Sequence, residues 1–238
     1  MVTGLLMTTS LFHSCMDDDD NYNVRYPNAL VTAKTATDQT FYLQLDNKTT
    51  LLPVNYKTSP FGGKEVRALV NFQQVEGDAS PYNQCVRINW IDSILTKPTV
   101  PNLFQANDSV YGNDPVEIIN DWVTVAEDGY LTLRFRTYWG RYMKPHTVNL
   151  LVNSKGANPY EIEFRHNANG DFKDRRGDAL VAFNLKDLPD THGKTVKLKL
   201  KWQSFSGPKS TEFDYNSDKV VMGKLIQGNE RNFQKTIE

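Results

Sequence analysis

Cysteine is almost missing: Cys15 and Cys85 are the only two. A disulfide framework is therefore excluded, and if Cys15 is modified, Cys85 is left without an intramolecular partner and core packing must hold the fold. A surplus of positive charge is missing too. Twenty-seven Lys and Arg stand against 28 Asp and Glu, for a net charge of -1, with no basic concentration to seat a polyanion, so no nucleic-acid partner is expected. Histidine is sparse, and His13, His146, His166 and His192 have no second histidine three to five positions away and no Cys pair. No zinc site is encoded locally, and an isolated histidine in or beside a strand reads first as structural, although a ligand set gathered from distant strands stays open. No Gly-x-Ser-x-Gly elbow or phosphate-cradling glycine loop occurs, and Cys85 has no nearby histidine to activate it. Nucleophilic catalysis thus has no signature, and no cofactor or metal is expected. A pair of carboxylates for glycoside hydrolysis is defined by separation in space, which a sequence does not reveal.

Long apolar runs are also absent. The one at the N-terminus, Val2 to Phe12, is short of the roughly 20 residues a helix needs to cross a bilayer. It ends in Ser14 and Cys15, followed by Asp17, Asp18, Asp19 and Asp20. This pattern predicts a lipoprotein signal peptide over residues 1–14, lipid attachment at Cys15 and a solvated acidic tether over 15–28. The alternative is a frayed apolar terminus of a cytosolic protein. No Lys or Arg precedes the apolar run, which points to a start upstream of Met1. The segment resembles the signal of Gram-negative surface lipoproteins in which acidic residues after the lipidated cysteine direct export. That resemblance implies outer-membrane lipid as a partner through Cys15, with Asp17 to Asp20 as the signal for the cell exterior.

Between Ala29 and Leu95 five segments are rich in β-branched, leucine and aromatic residues and bounded by turn residues, near Leu30–Lys34, Thr40–Leu45, Leu51–Tyr56, Glu65–Val75 and Asn83–Ile94. Five strands without a clear helix predict a small barrel over residues 29–100. In the fifth, Val86, Ile88 and Trp90 alternate with Arg87, Asn89 and Ile91, and the first three are expected in the core. Prolines and Asn, Asp and Gly residues make 101–114 the expected linker. Beyond it, Leu131, Leu133, Phe135, Thr137 and Trp139 alternate with Thr132, Arg134, Arg136 and Tyr138, and rows at Val148–Val152, Ile162–Phe164, Val181–Leu185 and Val196–Trp202 repeat the period of two. One apolar and one wet face predict an antiparallel β-sandwich over residues 115–238, its charged rows solvated or paired across strands. Asn167 to Asp171 departs from a calcium loop in ligand type and order and reads as a hairpin tip. The run through Tyr138, Trp139, Arg141 and Tyr142 is the candidate ligand-binding loop, since aromatics there offer contact area at low entropy cost. The other reading puts Trp139 in the core.

Asn89-Trp90-Ile91-Asp92-Ser93-Ile94-Leu95, Asn113-Asp114-Pro115, Gly129-Tyr130-Leu131-Thr132-Leu133-Arg134-Phe135 and Arg165-His166-Asn167-Ala168-Asn169-Gly170-Asp171, together with the Cys15 leader, resemble the NigD-like lipoproteins. The resemblance covers the whole mature chain and implies an all-β protein, a small OB-like barrel followed by the β-sandwich. It also implies a surface-anchored, non-enzymatic binding protein, with bacteriocin self-immunity as the sharpest form and an extracellular protein or glycan as partner. A glycan-binding or glycan-active accessory protein is the alternative. Asp92-Ser93-Ile94 and Asp108-Ser109-Val110 resemble the three-residue O-glycosylation motif of such lipoproteins, and only Ser109 falls in an expected exposed loop.

Overall fold

The computed structural model describes residues 27–46, 48–141, 144–152, 158–171, 174–217 and 237. Cys15, the aspartate run Asp17 to Asp20, the leader and Tyr142 lie outside these described residues. Five strands, β1 (Ala29–Thr35), β2 (Phe41–Gln44), β3 (Thr50–Pro53), β4 (Val66–Val75) and β5 (Gln84–Ser93), close into a barrel in the order β1-β2-β3-β5-β4. Closure leaves no open sheet edge. The β2–β3 turn is fixed by Asp46, whose carboxylate accepts from the backbone N–H groups of Lys48 and Thr49. Val31, Ala33, Phe41, Leu43, Leu51, Val70, Val86 and Ile88 fill the interior. One expected core residue is displaced. The β4–β5 ladder shifts register between Asn71 and Phe72, and an extra residue flips the alternation that follows it. Ile91 therefore packs against the barrel core, while Trp90 turns outward into a separate cluster with Leu30, Leu69 and Ile94.

The second half builds two facing sheets from β6 (Leu95–Pro98), β7 (Val100–Pro101), β8 (Glu117–Ile118), β9 (Val125–Glu127), β10 (Tyr130–Trp139), β11 (Thr147–Val152), β12 (Glu161–Asn167), β13 (Arg175–Asn184), β14 (Val196–Ser204) and β15 (Gly207–Tyr215), with one short helix, α1 (Asn107–Tyr111). One sheet runs β6-β13-β10-β8 with β9 also on β10, and the other β15-β14-β12-β11-β7. Every apolar row read from the sequence faces the space between them, from Leu131, Leu133 and Phe135 to Leu198, Leu200 and Trp202. The pairings are antiparallel except β6 with β13, β7 with β11 and β12 with β14, which are parallel. Because β12 and β13 lie in different sheets, Asn167 to Asp171 is a crossover between sheets and not a hairpin tip.

The stretch expected as a linker is knitted into the sandwich. β6 pairs with β13 and β7 with β11, Pro98 and Pro101 closing their strands where no further ladder N–H is needed. In α1, Asn107 is buried and its side chain accepts from Leu103 N and donates to Asn102, while Asp108 pairs with Arg165 at 2.5 Å. Gly112, at φ +79°, lies so close to Asn167 and the His166 carbonyl that an added Cβ would sit 2.5 Å from Asn167 Cβ. Side-chain hydrogen bonds and close packing, absent from the residue-type argument, make this segment structural.

The outer row of β10 is not uniformly wet either. The barrel sits on that face, where Leu180 and Ala182 of β13 join Leu30, Leu69, Ile94 and Val123 in a cluster shared by both halves. Arg67 of β4, only 1% exposed, donates to Thr32 Oγ1, to Thr132 Oγ1 and to Glu127. Lys34 pairs with Asp128 at 2.9 Å and the Tyr130 hydroxyl donates to Glu65 at 2.9 Å. Burial pushes the Glu127 carboxyl up against the pull of Arg67.

Candidate functional site

β10 runs away from the barrel contact, and its last residues form the far end of the sandwich. The distance from Thr132 to Tyr138 is roughly 20 Å at strand rise. Midway, Arg134 and Arg136 converge on Asp178, with Arg134 also reaching Asp121 at 2.6 Å. Burial raises the Asp178 carboxyl, but the hydrogen bonds from Arg136 and Arg134 outweigh it and hold the group below the usual carboxylate range. The charged row is thus a cross-strand network, since Arg136 and Asp178 stand directly opposite in the ladder.

At the far end the binding run divides. Trp139, 1% exposed, belongs to the core and stacks on His146 with ring centroids 4.1 Å apart. It cannot offer a surface to a partner, because the strand alternation that puts Leu131 and Phe135 inside carries it inside as well. Tyr138 points the other way, 39% exposed, and meets Phe205 of the β14–β15 turn, 44% exposed, edge to face at 5.3 Å. Arg141 is exposed in the turn after β10. Ser109 is exposed on α1, where its hydroxyl donates to the Ala106 carbonyl at 3.0 Å.

Beneath Tyr138 and Phe205 lies an apolar pocket of about 270 Å³, lined also by Pro115, Thr137, Ala168, Asp114 and His166. His166 is buried at the pocket. Its Nε2 lies 2.9 Å from His146 Nδ1, and His146 Nε2 lies 2.9 Å from the Asp171 carbonyl oxygen and 3.6 Å from its carboxylate. The nitrogen-to-nitrogen separation is that of a hydrogen bond and leaves no room for a metal ion between the rings. Burial, then the neighbouring His146, brings His166 down to about 4, and burial also lowers His146. Asp171 is seated by Gly140, where any Cβ would meet Asp171 Oδ1 at 2.1 Å. Phe205, Asp114 and the histidine pair were not singled out as a site from the sequence. Twenty residues separate the histidines, and only the β11–β12 register, with Val148 opposite His166, brings His146 beside His166 on one face.

Comparison with known families settles the relationship. The model of the NigD-like N-terminal OB domain matches residues 30–94, and that of the NigD-like C-terminal beta sandwich domain matches residues 99–215. The chain belongs to the NigD-like family. Among solved structures, a Parabacteroides distasonis ATCC 8503 protein described as toxin-related is 38% identical, with a TM-score of 0.68 over 80% of this chain and 93% of that one. A NigD-like immunity protein from Bacteroides caccae ATCC 43185 is 19% identical, with a TM-score of 0.57 over 81% and 99% of the two chains. A protein of Bacteroides fragilis NCTC 9343 described as a lipoprotein is 15% identical, with a TM-score of 0.54 over 79% and 97%. The last two likenesses concern the fold alone. No curated protein matches. The two NigD-like domains meet between Ile94 and Thr99, so the matched sandwich includes β7, α1 and Asp114 and with them one wall of the pocket.

Proposed function

We propose that this NigD-like chain is an outer-membrane lipoprotein, anchored through Cys15 and facing the cell exterior, that works by binding and not by catalysis. Its partner is met at the far end of the sandwich by Tyr138 and Phe205, and bacteriocin self-immunity is its setting. The observation that carries the reading is the partly exposed aromatic pair over an apolar pocket, at the end of β10 remote from the barrel contact. Large rings held at fixed positions supply most of the energy at protein interfaces. The toxin-related and immunity descriptions of the P. distasonis and B. caccae proteins support the setting, and the B. fragilis lipoprotein supports the anchor.

The test is made in the host. Deleting the chain should raise killing by supernatants of bacteriocin-producing strains, the parent sequence should restore survival, and Tyr138→Ala with Phe205→Ala should not, at equal surface level. Unchanged killing after deletion overturns the immunity reading. Cys15→Ser should release the protein from membranes, because the several acyl chains of a lipoprotein cysteine supply durable attachment at about 0.8 kcal/mol per buried methylene. Replacing Asp17 to Asp20 by alanine should keep it membrane-bound but protect it from protease added to intact cells. A variant shaved as readily as the parent overturns the surface address.

A further inference from the structure

The histidine pair has fewer protons than contacts. Three contacts follow one another: the Asp171 carbonyl with His146 Nε2 at 2.9 Å, His146 Nδ1 with His166 Nε2 at 2.9 Å, and His166 Nδ1 with the Asp114 carbonyl at 3.3 Å. Each contact needs one hydrogen. Two neutral imidazoles carry one N–H each, so one of the three is left as lone pair against lone pair. Burial keeps both rings neutral near pH 7.

Distance identifies the deficient contact. Two lone pairs facing at 2.9 Å are more repulsive than two at 3.3 Å, and 3.3 Å lies beyond the usual N–H···O range. The Asp171 carboxylate, 3.6 Å from His146 Nε2, also favours a proton on that nitrogen. His146 Nε2–H therefore donates to the Asp171 carbonyl, His166 Nε2–H donates to His146 Nδ1, and His166 Nδ1 is left bare beside the Asp114 carbonyl. His166 is 2% exposed, and both it and Asp114 line the pocket under Tyr138 and Phe205. Two acceptors with no hydrogen between them make the pocket floor electronegative, and the cost of leaving such a buried acceptor unpaired is met by whatever donor enters.

We propose that the pocket receives an aromatic side chain of a protein partner that ends in a single hydrogen-bond donor, the indole of a tryptophan or the phenol of a tyrosine, its N–H or O–H lying between His166 Nδ1 and the Asp114 carbonyl. The inference rests on the reading of this end of the sandwich as the binding surface. Charge complementarity at the floor selects a donor tip, while Pro115, Ala168 and the two aromatic rings select an apolar body. A volume of about 270 Å³ holds one ring system. A sugar carries hydroxyls on every side, and most of them would be buried against the apolar walls without a partner. A cation would lose its hydration in a mostly apolar pocket, beside a Tyr138 whose ladder partner is Arg176.

The binding test uses the detergent-solubilised full chain without substitution. Indole and 1-methylindole have nearly the same shape, but only indole carries the donor. Imidazole nitrogen NMR should first find His166 Nδ1 unprotonated near pH 7. Indole should then shift that resonance saturably and bind about tenfold or more tightly than 1-methylindole. Equal affinities, no binding of indole, a proton on His166 Nδ1, or stronger binding of guanidinium or a methyl glycoside each overturn the proposal. If indole is discriminated but Tyr138→Ala with Phe205→Ala leaves cells protected, the immunity reading falls and the pocket chemistry stands. If that variant sensitises cells but indole and 1-methylindole bind alike, the donor chemistry falls and the immunity reading stands.

Discussion

The two ends of β10 solve the same problem differently. At the barrel end, Thr132 lies under Arg67, whose guanidinium is shared among Thr32, Thr132 and Glu127, so the charge is buried and its donors are matched from both halves. At the far end, Tyr138 and Phe205 stand partly exposed over a pocket floored by a histidine pair that has three contacts for two hydrogens. Closed polar chemistry fixes how the barrel and sandwich join, and open polar chemistry leaves something for a ligand to complete. On the proposed reading, stability and recognition are separated along one strand.

The comparison is broken most directly at the barrel end. Arg67→Ala leaves Glu127 buried without its partner, and removing one member of such a pair costs about 3 to 5 kcal/mol. Chemical denaturation should show that loss, and Arg67→Met with Glu127→Leu should recover most of it, since apolar replacement of both members removes the stranded charge. If Arg67→Ala costs less than Tyr138→Ala, the barrel contact is not the stabilising end.

Trp139→Ala comes next. It removes a buried indole stacked on His146, and loss of burial together with the cavity costs about 3 to 5 kcal/mol, toward the lower figure where Gly140 and Asp171 can relax. Thermal unfolding measures it, with indole binding read separately on the fraction that stays folded. A normal melting temperature would take Trp139 out of the core.

The sequence made some of this visible and hid the rest for physical reasons. Leu131, Leu133, Phe135 and Trp139 announced the inner face of β10 because period two survives any partner. Their outer neighbours did not announce that Thr132 meets the barrel while Tyr138 meets solvent, since that depends on where another half of the chain docks. Trp90 was misplaced by a bulge that no residue type marks, and residues 101–114 looked like a linker because Pro, Asn and Asp favour turns whether or not those turns are packed. Tyr138 and Arg141 were named as members of an aromatic loop run, and both are exposed, Tyr138 over the pocket. His166 and Phe205 were not, because they reach the pocket through strand register and through the β14–β15 turn of the opposite sheet.

The histidine pair gives the third comparison, in pH. His166 titrates near 4 in the fold and near 6.5 unfolded. Between those values the unfolded chain binds the extra proton, so stability is full above about 6.5 and falls as pH drops toward about 4, by about 3 kcal/mol in all. Asp178, held below its usual range, adds a loss in the same direction at lower pH. The contribution of His166 is therefore the difference between the parent and His166→Gln, measured by denaturation at pH 7 and pH 5. Equal slopes in the two proteins would place the titration elsewhere.

The smallest effect on stability, and the one that sharpens the comparison most, belongs to Tyr138 and Phe205. Each ring keeps a large part of its surface in water, so truncating either removes little burial, and the edge-to-face contact between them is worth about 0.5 to 1.5 kcal/mol beyond area. Tyr138→Ala and Phe205→Ala should each cost about 1 kcal/mol or less. A double-mutant cycle should return a coupling of about 0.5 to 1 kcal/mol, because the contact between the rings is lost in each single variant but only once in the double. In the same variants indole affinity should fall sharply, since both walls of the pocket are lost. A large stability loss with unchanged indole binding would make these rings part of the fold and move recognition away from the end of β10.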